Sequence, residues 1–570
     1  MRSIPTMGEL SPALSAVALA LVAGPLACGQ PLAAPLAAAH PADAAPVRGG
    51  TLRMASYTDV RNLDPAGPSD GLAQQVAHEI FAGLVEYDAR GHVVPDLADH
   101  FDAEDGGRTY RFVLRQGVRM QDGEELTADD VKRSVERALH PSAPSTLASY
   151  FADIAGYEDF VSNKAAHLSG VVVEGRYVVT FHLGHPDAAF LSLLTMTTLR
   201  PVCRTAGDRY VDTWLPCGAG PFRILPGGWS RGNALRLVRH EGYFRPGLPY
   251  LDAIEWTFNQ PLLSQRFRFE DGDLDVLQSP TQADTARFQA DPRWKAFGIV
   301  QADTIVWGES MNTRIPPFDN VEVRRAVAAA IDRSQYSLIR PANMSPLTEL
   351  LPRSVPGYDP SLEGQRYDYA AALEHMKRAG YPYDPTTGAG GWPQPIDYVV
   401  TDYSVSVMTS QLLQQMLAKI GLRLSLRLVS WPAYQAITQQ PGRSAMSAQG
   451  WTMDYLDPST FFEPLFTTGS IGSESTNNTA FYSNPRYDAL VANARLTEHT
   501  AARYALYREA NGIVCDEAPW AFTYGQHDFD VHQPYVRGLA VHPVERLLAR
   551  EIWLDRGVGS RVHALFGGLW

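Results

Sequence analysis

Ile396 to Val400 reads as a strand, Val407 to Ile420 as a helix stopped by Gly421, and Leu422 to Leu428 as an alternating strand. Few folds accommodate that order. A crossover of this length joins parallel strands, with its helix packed on one face, so this part of the chain is expected to be an α/β layer. The chain has 570 residues, too many for one core of ordinary size, and two or three domains are expected. With 45% hydrophobic and 19% charged residues it belongs with soluble globular proteins, and a net charge of −13 argues against a nucleic-acid footprint.

The N-terminus has its own signature. Arg2 precedes an apolar run from Leu10 to Ala23, and small-x-small sites follow at Leu26-Ala27-Cys28 and Ala42-Asp43-Ala44. These are the marks of an export signal, expected over residues 1–44 with cleavage after Ala44; the run is short for a spanning helix. Lipid attachment at Cys28 is the alternative, weakened by Pro25. The other cysteines are Cys203, Cys217 and Cys515. Cys203 and Cys217 enclose a short loop and could be bridged in an oxidising compartment; no CxxC spacing favours zinc or a dithiol redox centre.

Other motifs are structural. Asp122-Gly123 suits a hairpin turn, and Thr127 with Asp130 fits an N-cap followed three residues on by an acid. Gly228-Trp229-Ser230-Arg231-Gly232 matches a Gly-x-Ser-x-Gly nucleophile elbow in form, but such an elbow opens a helix, and Ala234 to Val238 alternates as a strand does. A hairpin is expected there. HExxH and P-loop patterns do not occur, and the fifteen histidines show no ligand spacing, so no metal, cofactor or catalytic group is assigned.

The segment from Ala448 to Pro458, reading AQGWTMDYLDP, cannot be one regular element. Pro458 ends a helix or central strand, and Gly450 lets the backbone approach another surface. Trp451 offers a stacking face and Asp454 an anion for an ammonium group; packing of the Trp and turn-capping by the Asp residues are the competing reading.

Several ordered blocks now combine. They are the run from Asp105 to Val131, then Gly218-Ala219-Gly220-Pro221-Phe222, Gly242 to Asp252, Asn312 to Asp332, and Ala379-Gly380-Tyr381-Pro382. Together they resemble the dipeptide-, oligopeptide- and nickel-type solute-binding proteins of bacterial ABC importers (family 5) over residues 47 to 550. The resemblance implies an α/β, periplasmic binding protein-like fold of type II, with two main lobes, a cleft and an added inserted domain. Lobe I would comprise 47–80, 213–305 and 526–570, the inserted lobe II 81–212, and lobe III 306–525. The family segment at Gly450 to Pro458 carries an Asp that binds a peptide α-ammonium group, a role that would fall on Asp454, with Trp451 lining the cleft. Asn312 would contact ligand or organise the lobe junction, Tyr455, Tyr403 and Trp431 would shape side-chain pockets, and Arg353, Arg314 or Arg427 would supply a cation for the opposite end.

The function implied is an extracytoplasmic receptor that captures short peptides and delivers them to a membrane-embedded permease. It would be monomeric, periplasmic, without cofactor and not an enzyme. The same role for a nickel chelate, sugar or other solute is one alternative, and a secreted hydrolase or periplasmic chaperone another.

Overall fold

A computed structural model describes residues 45–555 except 61, 68–69, 144, 146, 208, 211–213, 473–475, 541 and 543. The expected export signal, Cys28 and the last fifteen residues lie outside this set. All the described residues fall in one unit.

The chain is organised by two interruptions. A mixed four-stranded sheet begins with Thr51–Ala55, which pairs in parallel with Ala253–Thr257; Ala234–Arg239 and Phe222–Ser230 complete it. Between its first and second strands in sequence, the chain builds a separate antiparallel sheet from Ala98–Glu104, Thr109–Leu114, Val171–Val173 and Val178–His182. We refer to this as the inserted sheet. Later, a three-stranded sheet made of Val276–Gln278, Gly298–Val300 and Phe529–His532 is interrupted by everything from Ile305 to Gln526. That second interruption forms a six-stranded sheet in the order 344–346, 520–526, 305–311, 446–452, 396–401, 424–429.

The crossover Ile396–Thr401, Ser404–Ala418, Leu424–Val429 is parallel as the sequence requires, with Ile396 opposite Leu424 and Thr401 opposite Val429. Helices cover both faces. Met311, Val327, Leu413 and Tyr524 pack on one side, and Phe462, Tyr487, Tyr507 and Trp520 on the other. The strand Trp520–Gln526 feeds both layers, and its register against Ile305–Met311 shifts at Trp307/Gly308, a bulge that re-aims Tyr524 toward the first layer.

Local signals explain the element ends. The Thr127 backbone N–H donates to Asp130 Oδ2 at 3.0 Å and the Thr127 hydroxyl does so at 2.8 Å, opening the helix Ala128–Leu139. Gly421, at φ +80°, follows the crossover helix in the left-handed region that side chains disfavour. The Gly-x-Ser-x-Gly match lies on a hairpin: Ser230 ends one strand, Ala234 starts its antiparallel partner, and no helix follows. Cys203 and Cys217 are joined in a disulfide, while Cys515 is a free thiol whose pKa is raised by burial.

The inserted segment and the four-stranded sheet are wired together by buried polar groups. Arg137 forks onto Asp64, with Nη1 to Oδ1 at 2.9 Å, and Gln121 donates to the carbonyls of Ile80 at 2.8 Å and Phe222 at 2.7 Å. Arg550 reaches Glu86 at 2.7 Å. The six-stranded sheet is joined differently. The chain enters it through residues 301–304 and leaves through 527–528, and these crossings are held side by side by Gln301 N–H donating to Asp528 O at 2.8 Å.

Candidate functional site

Strand directions in the six-stranded sheet place five ends on one edge. The C-terminal ends of 396–401, 424–429, 446–452 and 520–526 meet there with the N-terminal end of 305–311. Both chain crossings start from this edge. Carboxyl ends of strands in open α/β sheets are where ligands bind, because loops rather than core packing continue from them.

The Ala448–Pro458 segment straddles that edge. Met446–Thr452 is a strand, the chain then bends, and Pro458 precedes the helix Ser459–Phe466. Gly450 lies against the indole of Trp307, where a Cβ would come within 2.8 Å of the ring. Trp307 is itself pinned, stacking on Tyr524 and donating from Nε1 to Gln526 Oε1 at 2.9 Å. Trp451 is half-buried opposite Val306, and its buried indole N–H has no acceptor among the described residues.

Asp454 follows at the bend. Its Oδ2 accepts from the Tyr150 hydroxyl at 2.9 Å and from the Thr460 hydroxyl at 3.2 Å, while its own N–H donates to Thr460 Oγ1 at 3.2 Å. No hydrogen bond among the described residues reaches Oδ1, and no cation pairs with the carboxylate. Burial pushes its pKa up to about 6, against the opposing effect of the two hydroxyl donors. The result is a carboxyl that changes charge just below neutrality and has no cation of its own among the described residues.

Asp457, three residues on, is complete. Arg503 forks onto both its oxygens, with Nη2 to Oδ1 at 2.6 Å, and Ser459 donates to Oδ1 through its N–H at 2.9 Å and hydroxyl at 2.6 Å. Asp457 and Arg503 are both buried.

Tyr403 and Trp431 follow adjacent parallel strands onto the same edge as Asp454 and are 56% and 47% exposed, so they carry little of the core; Trp431 stacks on Tyr434. Arg353 is exposed, donates to Pro346 O at 3.2 Å, and sits beside the Asp303 carboxylate of the first crossing.

Two expectations are corrected. Tyr455 shapes no pocket: it is 3% exposed, its ring lies in the core of the inserted sheet, and its hydroxyl meets Ser459 Oγ at 2.9 Å. Asn312 lies at the other end of strand 305–311, about 20 Å from the edge at ~3.3 Å per residue. It is buried there, donating to Ser444 O at 3.2 Å and accepting from Arg314 N–H at 3.0 Å. Arg314 shares that end and lies over the Phe481 ring, whereas Arg427 is mid-strand and pairs with Asp397 at 2.8 Å. Neither Arg314 nor Arg427 reaches the edge.

Sequence reasoning missed Tyr150, Thr460 and Arg503. A Ser/Thr pair just after Asp-Pro was a local cue for Thr460; the two others come from distant chain and left none.

One hollow and one side-chain cluster lie apart from this edge. A surface hollow of about 560 Å³ is lined by Arg325, Gln365, Arg378 and Cys515, among others, but its arginines are already paired: Arg325 with Glu322 and Asp516, Arg378 with Glu322. Asp122 lies near the sulfurs of Cys203 and Cys217, and those sulfurs are bonded to each other and offer no thiolate to a metal.

The family described as bacterial extracellular solute-binding proteins, family 5 Middle, matches residues 92–473, well over half of the chain. The chain belongs to this family. Its curated relatives include the glutathione-binding protein GsiB of Salmonella typhi, 28% identical over 503 residues that span 86% of this chain and 92% of the relative. Another is the probable deoxycholate-binding periplasmic protein YgiS of Escherichia coli K12, 27% identical, spanning 92% of this chain and 97% of the relative. Among solved structures, DppA of Helicobacter pylori, an ABC transporter-associated periplasmic binding protein in complex with peptide STSA, aligns with a TM-score of 0.76 at 23% identity, covering 90% of this chain and 99% of that one. The murein tripeptide binding protein MppA of Escherichia coli gives 0.75 at 21%, with the same coverage. The family 5 protein described here thus has the type II periplasmic binding fold of these neighbours, and the relatives named are binding proteins. No helix among its described residues is long and apolar enough to cross a membrane.

Proposed function

We propose that this protein is the periplasmic receptor of an ABC importer, capturing a short peptide by its amino terminus between two lobes and presenting it to a membrane permease. In this reading the lobes are 47–80, 213–305 and 526–570 on one side and 306–525 on the other, with 81–212 inserted. Asp454 carries this reading, being a half-buried carboxylate at the strand-end edge that has hydroxyl donors but no cation of its own. An ammonium group from the ligand completes it as Arg503 completes Asp457, in a setting where screening by water is weak. Trp451 lines the cleft with a free indole donor, and Tyr403 and Trp431 form the rim that meets side chains. Glutathione and murein tripeptide, the ligands named for two of these proteins, support a peptide-like solute, whereas the deoxycholate named for YgiS is a different chemistry.

The two chain crossings at residues 301–304 and 527–528 suit a hinge, and opening would also release the contacts that Asp454, Tyr455 and Arg495 make with the inserted segment. Reversible capture requires no catalytic group or cofactor, and a monomer suffices. The protein acts outside the cytoplasmic membrane after loss of residues 1–44.

The test is native mass spectrometry of gently purified protein followed by release of retained solute. A di- or tripeptide with a free amino terminus is expected, and Asp454→Ala should weaken its retention by about 2–5 kcal/mol, the cost of leaving a buried charge unpaired. A sugar or metal chelate held equally by wild type and Asp454→Ala would overturn amino-terminal recognition while leaving the receptor role in place.

A further inference from the structure

The Asp454 carboxylate is held from the inserted segment. We propose that Tyr150, from the inserted segment, is a positioning residue for ligand recognition, fixing Asp454 through Oδ2 so that Oδ1 is presented to the ligand ammonium group. This inference rests on the assignment of Asp454 made above.

The geometry is specific. Tyr150 lies on the short turn of helix Ala148–Phe151, and its hydroxyl reaches Asp454 Oδ2 at 2.9 Å across 304 positions of sequence. Its ring meets Tyr455 edge-on, with centroids 5.8 Å apart and planes at 77°. Tyr455 in turn is sunk in the core of the inserted sheet. The next residue, Leu456, donates its N–H to the Tyr87 hydroxyl at 3.0 Å. Three consecutive residues of the ligand loop are therefore gripped by the inserted segment or the strand leading into it, and the fourth, Asp457, by Arg503.

The chemistry follows from that grip. Tyr150 and Thr460 both donate to Oδ2, so the carboxylate cannot rotate without losing two hydrogen bonds. Those donors also favour the ionised form, opposing burial. The groups facing this pair are few. Tyr150 faces Asp454 and, more weakly, Glu463; Tyr455 faces Glu463 and Asp457. Burial pushes Glu463 up to about 7, although Arg495 lies 3.2 Å away, and Arg495 also reaches Asp153 and Asp187 of the inserted segment at 3.1 Å each. Glu463 thus titrates close to Asp454, and affinity against pH cannot by itself separate the two. A ratio of affinities for ligands with and without an amino charge does separate them, because Glu463 acts on both ligands alike.

The experiment uses the purified protein and two probes, a pool of random tripeptides with free amino termini and the same pool N-acetylated, in competition at pH 7.5 and pH 6.0. Wild type is expected to prefer the free-amino pool. Tyr150→Phe should cut that preference about tenfold or more, as expected for a lost hydrogen bond to a charged group, with a larger loss at pH 6.0 and unchanged retention of the acetylated pool. Thr460→Val removes the other donor to the same oxygen and should act in the same direction; it decides the matter if Tyr150→Phe fails to fold. Full preference in both variants at both pH values, with preference lost in Asp454→Asn, would overturn the role of Tyr150 and leave Asp454 standing. Preference retained in Asp454→Asn, or absent from wild type, would overturn the amino-terminal reading and this inference with it.

Discussion

Asp454 and Asp457 lie three residues apart in one loop and meet opposite fates. Asp457 is buried with a forked arginine and two donors from Ser459, so its charge is neutralised within the fold. Asp454 is given two hydroxyls and no cation, and its pKa rises to about 6. Both are carboxylates on a bend at the end of the same strand, so residue type and local conformation do not explain the difference. Distant chain does: helix Thr500–Glu517 brings Arg503 to one, and the inserted segment brings only a phenol to the other. A carboxylate answered by a cation is architecture, whereas one answered by neutral donors keeps its affinity for a cation from elsewhere.

The largest effect that tests this contrast is on stability. Arg503→Ala leaves Asp457 buried and unpaired and should cost about 3–5 kcal/mol, read from the protein's denaturant midpoint. A neutral outcome would break the comparison, since Asp457 would then tolerate what Asp454 tolerates.

Next is a proton count. Below about pH 6 the free protein holds Asp454 largely as the acid, and an arriving ammonium group favours the carboxylate. Binding a free-amino peptide near pH 5.5 should therefore release a proton, with the release fading toward pH 8. Calorimetry in two buffers of different ionisation enthalpy measures it, with Asp454→Asn as the control that subtracts any contribution from Glu463.

The smallest effect sharpens the comparison. Asp454 has a folded pKa above its unfolded value, so between about pH 4 and pH 6 the native state binds the proton more tightly. Stability falls as pH rises through that window and stays lowered above it. Asp454→Asn escapes this penalty and should melt higher than wild type at pH 8, by an amount equivalent to about 1–3 kcal/mol, with the gain disappearing by pH 4. Loss of ligand binding together with a gain in stability would mark Asp454 as a site residue in a way that binding data alone do not.

Periodicity made part of this molecule legible in advance. The crossover from Ile396 to Leu428, the capped helix after Thr127 and the hairpin at Ser230 all declare themselves from neighbouring residues, because alternation, caps and turns are local chemistry. The strand Trp520–Gln526 did not, since it is buried on both faces and its WAFTYGQ run shows no alternation to read. Helix Ser459–Phe466 was hidden by Pro464 within it. At the site, Asp454 and Trp451 stand out by residue type, but burial and partners depend on chain hundreds of positions away. Tyr455 shows the consequence: an aromatic beside a candidate ligand residue reads as pocket lining, and only the inserted core reveals that it is packing.

Tyr403 and Trp431 project from strand ends into solvent with little of the protein's stability invested in them. Substitution there is cheap for the fold, because no core must be repacked around the newcomer. Selection can therefore vary these two positions while the packed strands beneath them stay fixed. A scaffold partitioned this way diversifies readily, and its members can part company over what they carry long before they part company over how they fold.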